Sequence, residues 1–307
     1  MDERIYDVVV IGAGPAGLQA AVHAVRKKAT VLVLGRFENS SLYKAHVENY
    51  LCVDGILEGK EMLAIGVAQA KRFGAEHWPE DVLAIRQEED ELFSVEVSNG
   101  RRVRCYALII ATGTSRKKLK VKGEKELSGR GVSYCVDCDA NFFRNARVAV
   151  VGEESAAVDG ALTLAKYASE VFLIARKLEV SADLESRLQQ SKVQVLAGTW
   201  VKEISGENAV TGVVLENGKD LEVEGVFIEL GAKGALELAT SLGVMLDVET
   251  FTHIATDKKQ KTNMDGIYAA GDIAGQPYQM AKAVGEGCVA GWEAANYVRS
   301  RRKQDER

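Results

Sequence analysis

The sequence predicts an α/β protein built from two Rossmann-like domains. Near the N-terminus, an apolar strand is followed by a glycine turn, an alanine-rich helix and a second apolar strand. The same order of elements returns about one domain's length later. Strands that alternate with helices indicate a parallel sheet covered by helices. With 307 residues, the chain is long enough for roughly two such domains.

The first unit begins with a buried strand at 6–11, an alanine-rich helix at 15–26 and a second apolar run at 30–34. Polar, irregular sequence follows. The remaining elements predicted in this part are a helix at 59–73, strands at 82–85, 92–97 and 108–111, and a hairpin turn at Asn99-Gly100.

The second unit repeats this design. A strand at 147–151 leads through a turn at Gly152 into a helix at 155–167 and a strand at 171–174. Further predicted elements are strands at 193–196, 212–216, 225–230 and 266–270, and a closing helix at 281–299. Because the same unit occurs twice, we predict two dinucleotide-type folds in one chain.

Composition and charge exclude several classes of protein. The net charge of −5 argues against nucleic acid as the main partner. No segment approaches the roughly 18 consecutive apolar residues of a membrane helix, and the N-terminus lacks an export pattern. We therefore expect a cytoplasmic protein without a membrane partner. The basic segment at 299–307 is expected to be solvated and frayed.

A glycine-rich loop follows the first strand and fits the G-x-G-x-x-G pattern. The first glycine permits a tight turn, the second lets the backbone approach a pyrophosphate, and the third lets helix and strand pack closely. The helix N-terminus adds partial positive charge. The candidate cofactor-binding residues of this loop are Gly12, Gly14, Pro15, Ala16 and Gly17.

One part of that pattern is missing. An acidic residue that holds the ribose is expected about 20 residues later, near the end of the second strand. Leu34-Gly35-Arg36 stands there, with Glu38 slightly beyond. A structural glycine turn without a ligand therefore stays open as an alternative.

Two later segments favour FAD. Ala111-Thr112-Gly113 and Ala269-Ala270-Gly271-Asp272 each follow a buried strand. This pair resembles the two later FAD-contacting motifs of flavoproteins that bind two dinucleotides. The resemblance implies that Thr112, Gly113, Gly271 and Asp272 contact FAD, and that Asp272 holds the ribityl chain.

Cys135 and Cys138 form a Cys-x-x-Cys motif. Two intervening residues bring two sulfurs close enough to form and break a disulfide, and such motifs lower the pKa of one thiol. Zinc is the main alternative, but it needs two further ligands, and none of the four histidines lies near the pair in sequence. Asp139 follows the second cysteine and is the candidate proton donor to the leaving thiolate. A helix N-cap is its alternative role.

Along nearly its whole length, the sequence resembles low-molecular-weight thioredoxin reductases. The resemblance is carried by Gly12 to Gly17, Val47-Glu48-Asn49-Tyr50, Ala111-Thr112-Gly113, Cys135-x-x-Cys138-Asp139, Gly271-Asp272, and Tyr278-Gln279-Met280-Ala281 through Gly287-Cys288.

The resemblance implies a homodimer whose subunit has a discontinuous FAD domain, at 1–114 and 234–307, interrupted by an NAD(P)-type domain at 115–233. It implies that electrons pass from FAD to the Cys135/Cys138 disulfide and then to a thioredoxin-type protein. Cys138 would face the flavin, and Cys135 would exchange with the partner. Further FAD contacts are expected from Asn49, Val82, Met280 and Ala281.

The sequence departs from this family at the second glycine loop. Gly152-Glu153-Glu154-Ser155-Ala156-Ala157 has Glu154 where a glycine should admit the pyrophosphate, and two carboxylates would repel that anion. Ser181 stands where the family has a basic residue for the adenosine phosphate. In the flavin-proximal segment, Met280 replaces the usual glutamine.

We therefore predict a flavin-dependent disulfide reductase with poor or absent use of NADPH, whose donor is ferredoxin or another reductant. The vacated pocket could hold another ligand, even a second flavin. Two alternatives stay open. One is an NADPH- or NADH-dependent reductase with relaxed nucleotide binding, and the other is a flavin-binding regulatory protein whose redox state is sensed by a partner.

Overall fold

The computed structural model describes residues 4–114, 118–230, 235–248 and 252–305. The chain divides into two compact units. Unit 1 comprises Met1–Val97, Arg101–Ser115 and Leu238–Arg307, and unit 2 comprises Ser98–Gly100 and Arg116–Glu237. Unit 1 is therefore assembled from both ends of the chain.

Strands alternate with helices along much of the chain, as the sequence predicts. The N-terminal part contains β1 (Ile5–Ile11), α1 (Pro15–Arg26), β2 (Val31–Leu34), β3 (His46–Val47), β4 (Leu57–Glu58), α2 (Gly59–Phe73), β5 (Glu76–Trp78), β6 (Val82–Gln87), β7 (Phe93–Val97) and β8 (Arg102–Ile110). The middle part contains β9 (Val132–Ser133), α3 (Val136–Asp139), β10 (Arg147–Val151), α4 (Ser155–Leu164), β11 (Glu170–Ala175), α5 (Ala182–Gln189), β12 (Gln194–Ala197), β13 (Val201–Ser205), β14 (Gly212–Leu215), β15 (Asp220–Glu222) and β16 (Gly225–Ile228). The last part contains α6 (Ala235–Thr240), β17 (Ile267–Ala269) and α7 (Met280–Asp305).

The sheet of unit 1 has the strand order β5-β2-β1-β8-β7-β6, and β17 pairs with β8. Strands β2, β1, β8 and β17 run parallel, whereas β6, β7 and β8 form an antiparallel meander. The central strands are continuous apolar runs, as expected for a parallel sheet that is buried on both faces. Helices α1, α2 and α7 pack on the face that carries Val8 and Val10. In β1, for example, every residue from Tyr6 to Ile11 is buried.

Unit 2 repeats the arrangement. Its five-stranded sheet has the order β12-β11-β10-β16-β9, and all four pairings are parallel. A separate antiparallel sheet, β13-β14-β15, lies between β12 and β16 in sequence. The predicted α/β fold with two Rossmann-like domains is confirmed.

The expectation of a frayed basic C-terminus is wrong as far as Asp305, where α7 ends. Arg301 pairs with Glu91 at 2.8 Å, and Arg302 pairs with the buried Asp7 at 2.7 Å. A buried carboxylate needs a charged or hydrogen-bonding partner, and Arg302 supplies one. Although α7 has 26 residues, neither it nor any other helix in the described ranges is long and apolar enough to cross a bilayer.

Helix α7 packs against α1 at unusually short range. A Cβ atom at Gly287 would lie 2.2 Å from the carbonyl oxygen of Ala16, and one at Gly291 would lie 2.1 Å from that of Ala20. Both distances are far below van der Waals contact. The two glycines therefore set the spacing between the helices.

We expect Gly287→Ala to destabilise unit 1 by about 1–3 kcal/mol, because the added methyl group must push α7 away from α1. Gly285→Ala is the matched control, since a Cβ there meets no atom within 4 Å. That control should be neutral or gain up to about 1 kcal/mol from helix propensity. Thermal unfolding of both variants provides the measurement, and equal melting temperatures would contradict the packing argument.

Candidate cofactor and disulfide sites

Three strands of unit 1 end side by side. In the register of the sheet, Ile110 of β8 lies opposite Ile11 of β1 and opposite Ala269 of β17. Beyond these residues, the amide of Ala111 donates to the carbonyl of Ile11 at 2.8 Å, and that of Ala270 donates to Ile110 at 3.0 Å. The structure thus brings together the first glycine loop, the Thr112-Gly113 segment and the Gly271-Asp272 segment. Ligands of open α/β sheets bind at this carboxyl edge, where the strand order reverses.

Different physical constraints explain the three glycines of the first loop. Gly12 has φ +114°, and a Cβ there would lie 2.3 Å from the carbonyl oxygen of Ala111; a Cβ at Gly17 would lie 1.9 Å from that of Gly12. These two glycines are required by the fold itself. At Gly14 the nearest atom to a Cβ is the Oγ of Ser40, at 3.3 Å, so packing alone does not demand a glycine.

Gly14 instead leaves the start of α1 open. It is the N-cap residue, no side chain caps the helix, and the first turn has no acidic residue. The amides of a helix N-terminus can therefore face an anion. These features fit the pyrophosphate of FAD.

Asp272 offers a second feature that fits a dinucleotide. Its carboxylate is half-buried, and burial raises its pKa, while Lys282 opposes the shift and Glu286 adds to it. From the residues that the structure describes, no hydrogen bond reaches this carboxylate. A desolvated acceptor of this kind is suited to bind ligand hydroxyl groups.

Lys282 and Glu286 hold the loop that presents Asp272. The Nζ of Lys282 donates to the carbonyls of Gly271 at 2.8 Å and Gly275 at 2.6 Å, and it pairs with Glu286 at 3.0 Å. The amide of Gly271 donates to Glu286 Oε2 at 2.9 Å. Sequence analysis missed these two residues. Their i,i+4 spacing at the start of α7 was the available signal.

An ion pair is found just after β2, where the sequence pattern places an acidic residue that binds the ribose. Arg36, two residues after β2, pairs with the buried Asp81, whereas Glu38 is exposed. Val82 follows Asp81, begins β6 and is buried. Val82, a predicted FAD contact, therefore directly follows a residue whose carboxylate forms an ion pair just beyond the end of β2.

A further hydrogen bond joins two segments that are distant in sequence and that contain predicted FAD contacts. The amide Nδ2 of Asn49 donates to Gln279 Oε1 at 3.2 Å. Gln279 directly precedes Met280 and Ala281, which begin α7. Asn49, Met280 and Ala281 thus lie in one region of unit 1, and a glutamine is adjacent to the position where Met280 departs from the family pattern.

Cys135 belongs to the disulfide segment of unit 2. It is 5% exposed, directly precedes α3 and is disulfide-bonded, whereas Cys52, Cys105 and Cys288 are free. The backbone of Cys138 lies in α3, and its side chain is outside the described part. A sulfur in a disulfide cannot be a zinc thiolate, so the bond at Cys135 favours the redox interpretation. Burial raises the pKa of the Cys105 thiol, which makes it unreactive.

Asp139 is connected to Cys135 through a third side chain. The Oγ of Ser133 donates to Asp139 Oδ2 at 2.6 Å and accepts from the amide of Cys135 at 3.1 Å. Asp139 is the N-cap residue of the 3-10 helix Ala140–Phe143, but its side chain makes no capping bond. The capping alternative for this carboxylate is therefore wrong, and its partner is Ser133.

Two phenylalanines after the disulfide segment have opposite environments. Phe143 packs edge-on against Phe227 of β16, with ring centroids 5.1 Å apart. Phe142, its neighbour, is 82% exposed. The segment is thus anchored by one ring while the other is presented to solvent.

The second glycine loop keeps its tight turn but has a glutamate at the position of the second glycine. A Cβ at Gly152 would lie 2.0 Å from the carbonyl oxygen of Glu229 and 2.6 Å from the Cβ of Ala157. Gly152 is thus required by packing, and Ala157, the small third residue, is buried beside it. Between them, Glu154 is the N-cap residue of α4, with extended backbone at φ −111°. The residue at the second glycine position of the pattern therefore carries a carboxylate side chain.

Two residues between β11 and α5 are already engaged in contacts within the protein. Arg176 pairs with Glu216 at 2.9 Å, its guanidinium lies 4.7 Å from the ring centre of Trp200, and its amide donates to Glu153 at 3.2 Å. Ser181 caps α5 by accepting from the amide of Leu184 at 3.3 Å. Arg176 is thus held by a carboxylate that a phosphate would have to displace.

Comparisons with known proteins extend over both units. The family model described as pyridine nucleotide-disulphide oxidoreductase matches residues 6–287. A thioredoxin reductase of Listeria monocytogenes is 37% identical over 97% of this chain and 95% of that protein. The atypical thioredoxin reductase TRi from Desulfovibrio vulgaris Hildenborough superposes with a TM-score of 0.83 at 33% identity, covering 96% of this chain and 98% of that one. A ferredoxin-flavin thioredoxin reductase from Clostridium acetobutylicum has a TM-score of 0.67 at 31% identity, with 96% and 99% covered.

Gly14→Ala should separate cofactor binding from folding. The added methyl group needs Ser40 to move by only a few tenths of an ångström, so the melting temperature of the apoprotein should stay unchanged. Because the methyl group blocks the approach of a pyrophosphate, flavin affinity should fall by about tenfold or more. Flavin absorbance per chain and apoprotein unfolding provide the two measurements. Full flavin retention would contradict the assignment of Gly14 to the ligand.

Proposed function

The chain belongs to the pyridine nucleotide-disulphide oxidoreductase family, as one of its thioredoxin reductases, and we propose that it reduces a thioredoxin-type disulfide with a donor other than NADPH. Membership makes it a flavin-dependent disulfide oxidoreductase. The observation that carries the donor proposal is Glu154 at the N-cap of α4, in the position where a nucleotide-binding loop needs a glycine.

Unit 1 is proposed to hold the cofactor. The open N-terminus of α1 receives the pyrophosphate of FAD, and Asp272 accepts hydrogen bonds from ligand hydroxyls. Lys282 and Glu286 keep the loop of Asp272 in place through its backbone. When bound, FAD supplies the two electrons that open the disulfide. The protein's contribution is to hold this group at the carboxyl edge of the sheet.

The disulfide is assigned to Cys135 and Cys138. After two electrons and two protons convert it to a dithiol, the Cys135 sulfur attacks the partner disulfide, forms a mixed disulfide and expels a partner thiolate. The Cys138 sulfur then attacks Cys135 and expels the second partner thiolate. Asp139 takes each proton from the attacking thiol and returns it to the departing sulfur. In the net reaction, the Cys135/Cys138 dithiol is oxidised to a disulfide and the partner disulfide is reduced to a dithiol.

The exposed ring of Phe142 supports a protein as the disulfide substrate. An aromatic side chain 82% exposed, four residues after Cys138, is costly in water unless a partner covers it. Because Cys135 is only 5% exposed, exchange also requires a conformation in which its sulfur is accessible. A folded thioredoxin-type partner fits these requirements, and we propose the homodimer of the family as the working unit.

Both nucleotide determinants of unit 2 argue against NADPH as the donor. Glu154 places negative charge at the pyrophosphate position, which costs about 4 kcal/mol at 4 Å for an effective dielectric constant of 20. Arg176 is already neutralised by Glu216. The structural likeness to a ferredoxin-flavin thioredoxin reductase supports ferredoxin as the donor.

A second candidate is a reductase that still uses NADPH or NADH with relaxed binding. Gly152 and Ala157 favour it, because both keep the turn and the helix packing of a nucleotide loop. A second flavin in unit 2 is distinguished by stoichiometry, since extraction would then yield two flavins per chain. A redox sensor without turnover is distinguished by the absence of partner thiol release.

Cys138→Ser should lower disulfide turnover by at least about 100-fold, because a single thiol cannot resolve the mixed disulfide. Cys52→Ser is the matched control, since that thiol is free and exposed. Protein reduced anaerobically is mixed with thioredoxin disulfide, and the released thiols are counted. Unchanged turnover in Cys138→Ser would overturn the proposed function.

Mixing the oxidised protein anaerobically with excess NADPH should bleach the flavin band only slowly. Glu154→Gly should accelerate bleaching by at least about tenfold, because it removes both the side chain and its charge from the loop. Glu207→Gly makes the same exchange in an exposed loop and should change nothing. Rapid bleaching of the unaltered protein by stopped-flow would refute the donor proposal while leaving the disulfide chemistry intact.

A further inference from the structure

We infer that Ser133 is a positioning residue, whose hydroxyl holds the Asp139 carboxylate in place for proton transfer at the redox-active cysteines. The inference rests on the proposed function, in which Asp139 moves the protons of disulfide exchange.

The hydroxyl of Ser133 forms a directed chain of hydrogen bonds. Its oxygen accepts from the amide of Cys135 at 3.1 Å, and its single proton has two candidate acceptors. Asp139 Oδ2 lies at 2.6 Å, whereas the carbonyl oxygen of Cys135 lies at 3.3 Å. The shorter bond to a carboxylate is the stronger one. The order is therefore the Cys135 amide, the Ser133 hydroxyl and the Asp139 carboxylate, in which each bond polarises the next.

Ser133 is itself rigidly placed. It is 5% exposed and lies in β9, where it is in register with Phe227 of β16. Phe227 in turn packs against Phe143, at the other end of the disulfide segment. The hydroxyl is thus supported by the parallel sheet of unit 2.

Asp139 has little other support. It ends α3, a helix of only four residues, and makes no capping bond to the 3-10 helix that follows. In the described part of the chain, Ser133 is the only side chain or backbone group that forms a hydrogen bond with its carboxylate. Without the hydroxyl, the half-buried carboxylate would be free to turn about its χ angles.

The chemistry requires one fixed position for this carboxylate. In the first exchange step the Cys135 thiol gives its proton to Asp139, the Cys135 sulfur bonds to a partner sulfur, and the partner S–S bond breaks. The departing partner thiolate then takes the proton from Asp139. A positioned acid or base contributes about 100- to 10,000-fold, and a displacement of about 1 Å removes a large part of that.

Ser133→Ala should therefore slow dithiol–disulfide exchange by about 10- to 100-fold at saturating thioredoxin disulfide. The partner concentration for half-saturation should stay unchanged, because Ser133 is buried and does not face the partner. Ser133→Thr, which keeps the hydroxyl, should retain the rate within about threefold. Ser191→Ala is the matched control, since that hydroxyl donates to the backbone carbonyl of Leu188 at 2.7 Å and accepts from the amide of Val193 at 3.1 Å. Its loss should not affect exchange.

The decisive comparison is a double-mutant cycle with Asp139→Asn. If Ser133 acts through Asp139, the double variant should be no slower than Asp139→Asn alone, within about twofold. A loss from Ser133→Ala that persists in full in the Asp139→Asn background would mean a general structural role and would overturn the inference. All proteins are reduced anaerobically with their bound flavin, and single-turnover thiol release is measured.

The remaining outcomes of this experiment separate a failure of the inference from a failure of the proposed function. If Ser133→Ala exchanges as fast as the unaltered protein while Asp139→Asn is slow, the inference fails and the proposed function stands. If Asp139→Asn is also fast, the proton-transfer role in the proposed function fails with it. Should Ser133→Ala fold poorly, Ser133→Gly, which also lacks the hydroxyl, carries the same test with the same expected rates.

Discussion

The structure depends above all on backbones that approach too closely for any side chain. At the end of β1, the carbonyl of Gly12 lies where a Cβ of Gly17 would be, and Gly12 itself abuts the carbonyl of Ala111. Helix α7 continues this contact by packing Gly287 and Gly291 on the backbone of α1. Strand, helix and neighbouring strand are therefore positioned by the main chain. The shape of the cofactor cradle follows from this packing, and the side chains of Asp272, Lys282 and Glu286 are added to it.

Unit 2 obeys the same constraint at its own glycine loop. Gly152 is required because a side chain there would collide with the carbonyl of Glu229 and with Ala157, so the loop must keep its turn whether or not it binds a nucleotide. At the second position of the pattern, unit 1 has Gly14, which packing alone does not demand, and unit 2 has Glu154. The comparison within one chain separates glycines that the fold needs from glycines that the ligand needs. The Rossmann fold by itself thus does not specify the residue at this position.

The disulfide segment combines local and long-range constraints. Ser133, Cys135 and Asp139 are connected through hydrogen bonds within seven residues, so a short segment assembles its own polar chain. Its position is decided by β9 pairing with β16 and by the contact of Phe143 with Phe227. Buried polar groups are stable only when their partners are in place, and this pairing keeps them there. The buried Cys135 and the exposed ring of Phe142 therefore belong to the same short segment.

The sequence by itself determined the features that local patterns encode. The bounds of α1 and α2, the buried strands, both glycine loops and the Cys-x-x-Cys-Asp segment depend on residues close together in the chain, and the structure placed α1 and α2 where periodicity put them. Only the tertiary structure decided the polar pairings: Arg36 with Asp81, 45 residues away, Arg176 with Glu216, and Arg302 with Asp7. Even the short-range partner of Asp139 was missed, because many side chains can accept or donate a hydrogen bond. Burial and strand register, which local composition does not specify, select the partner that is used.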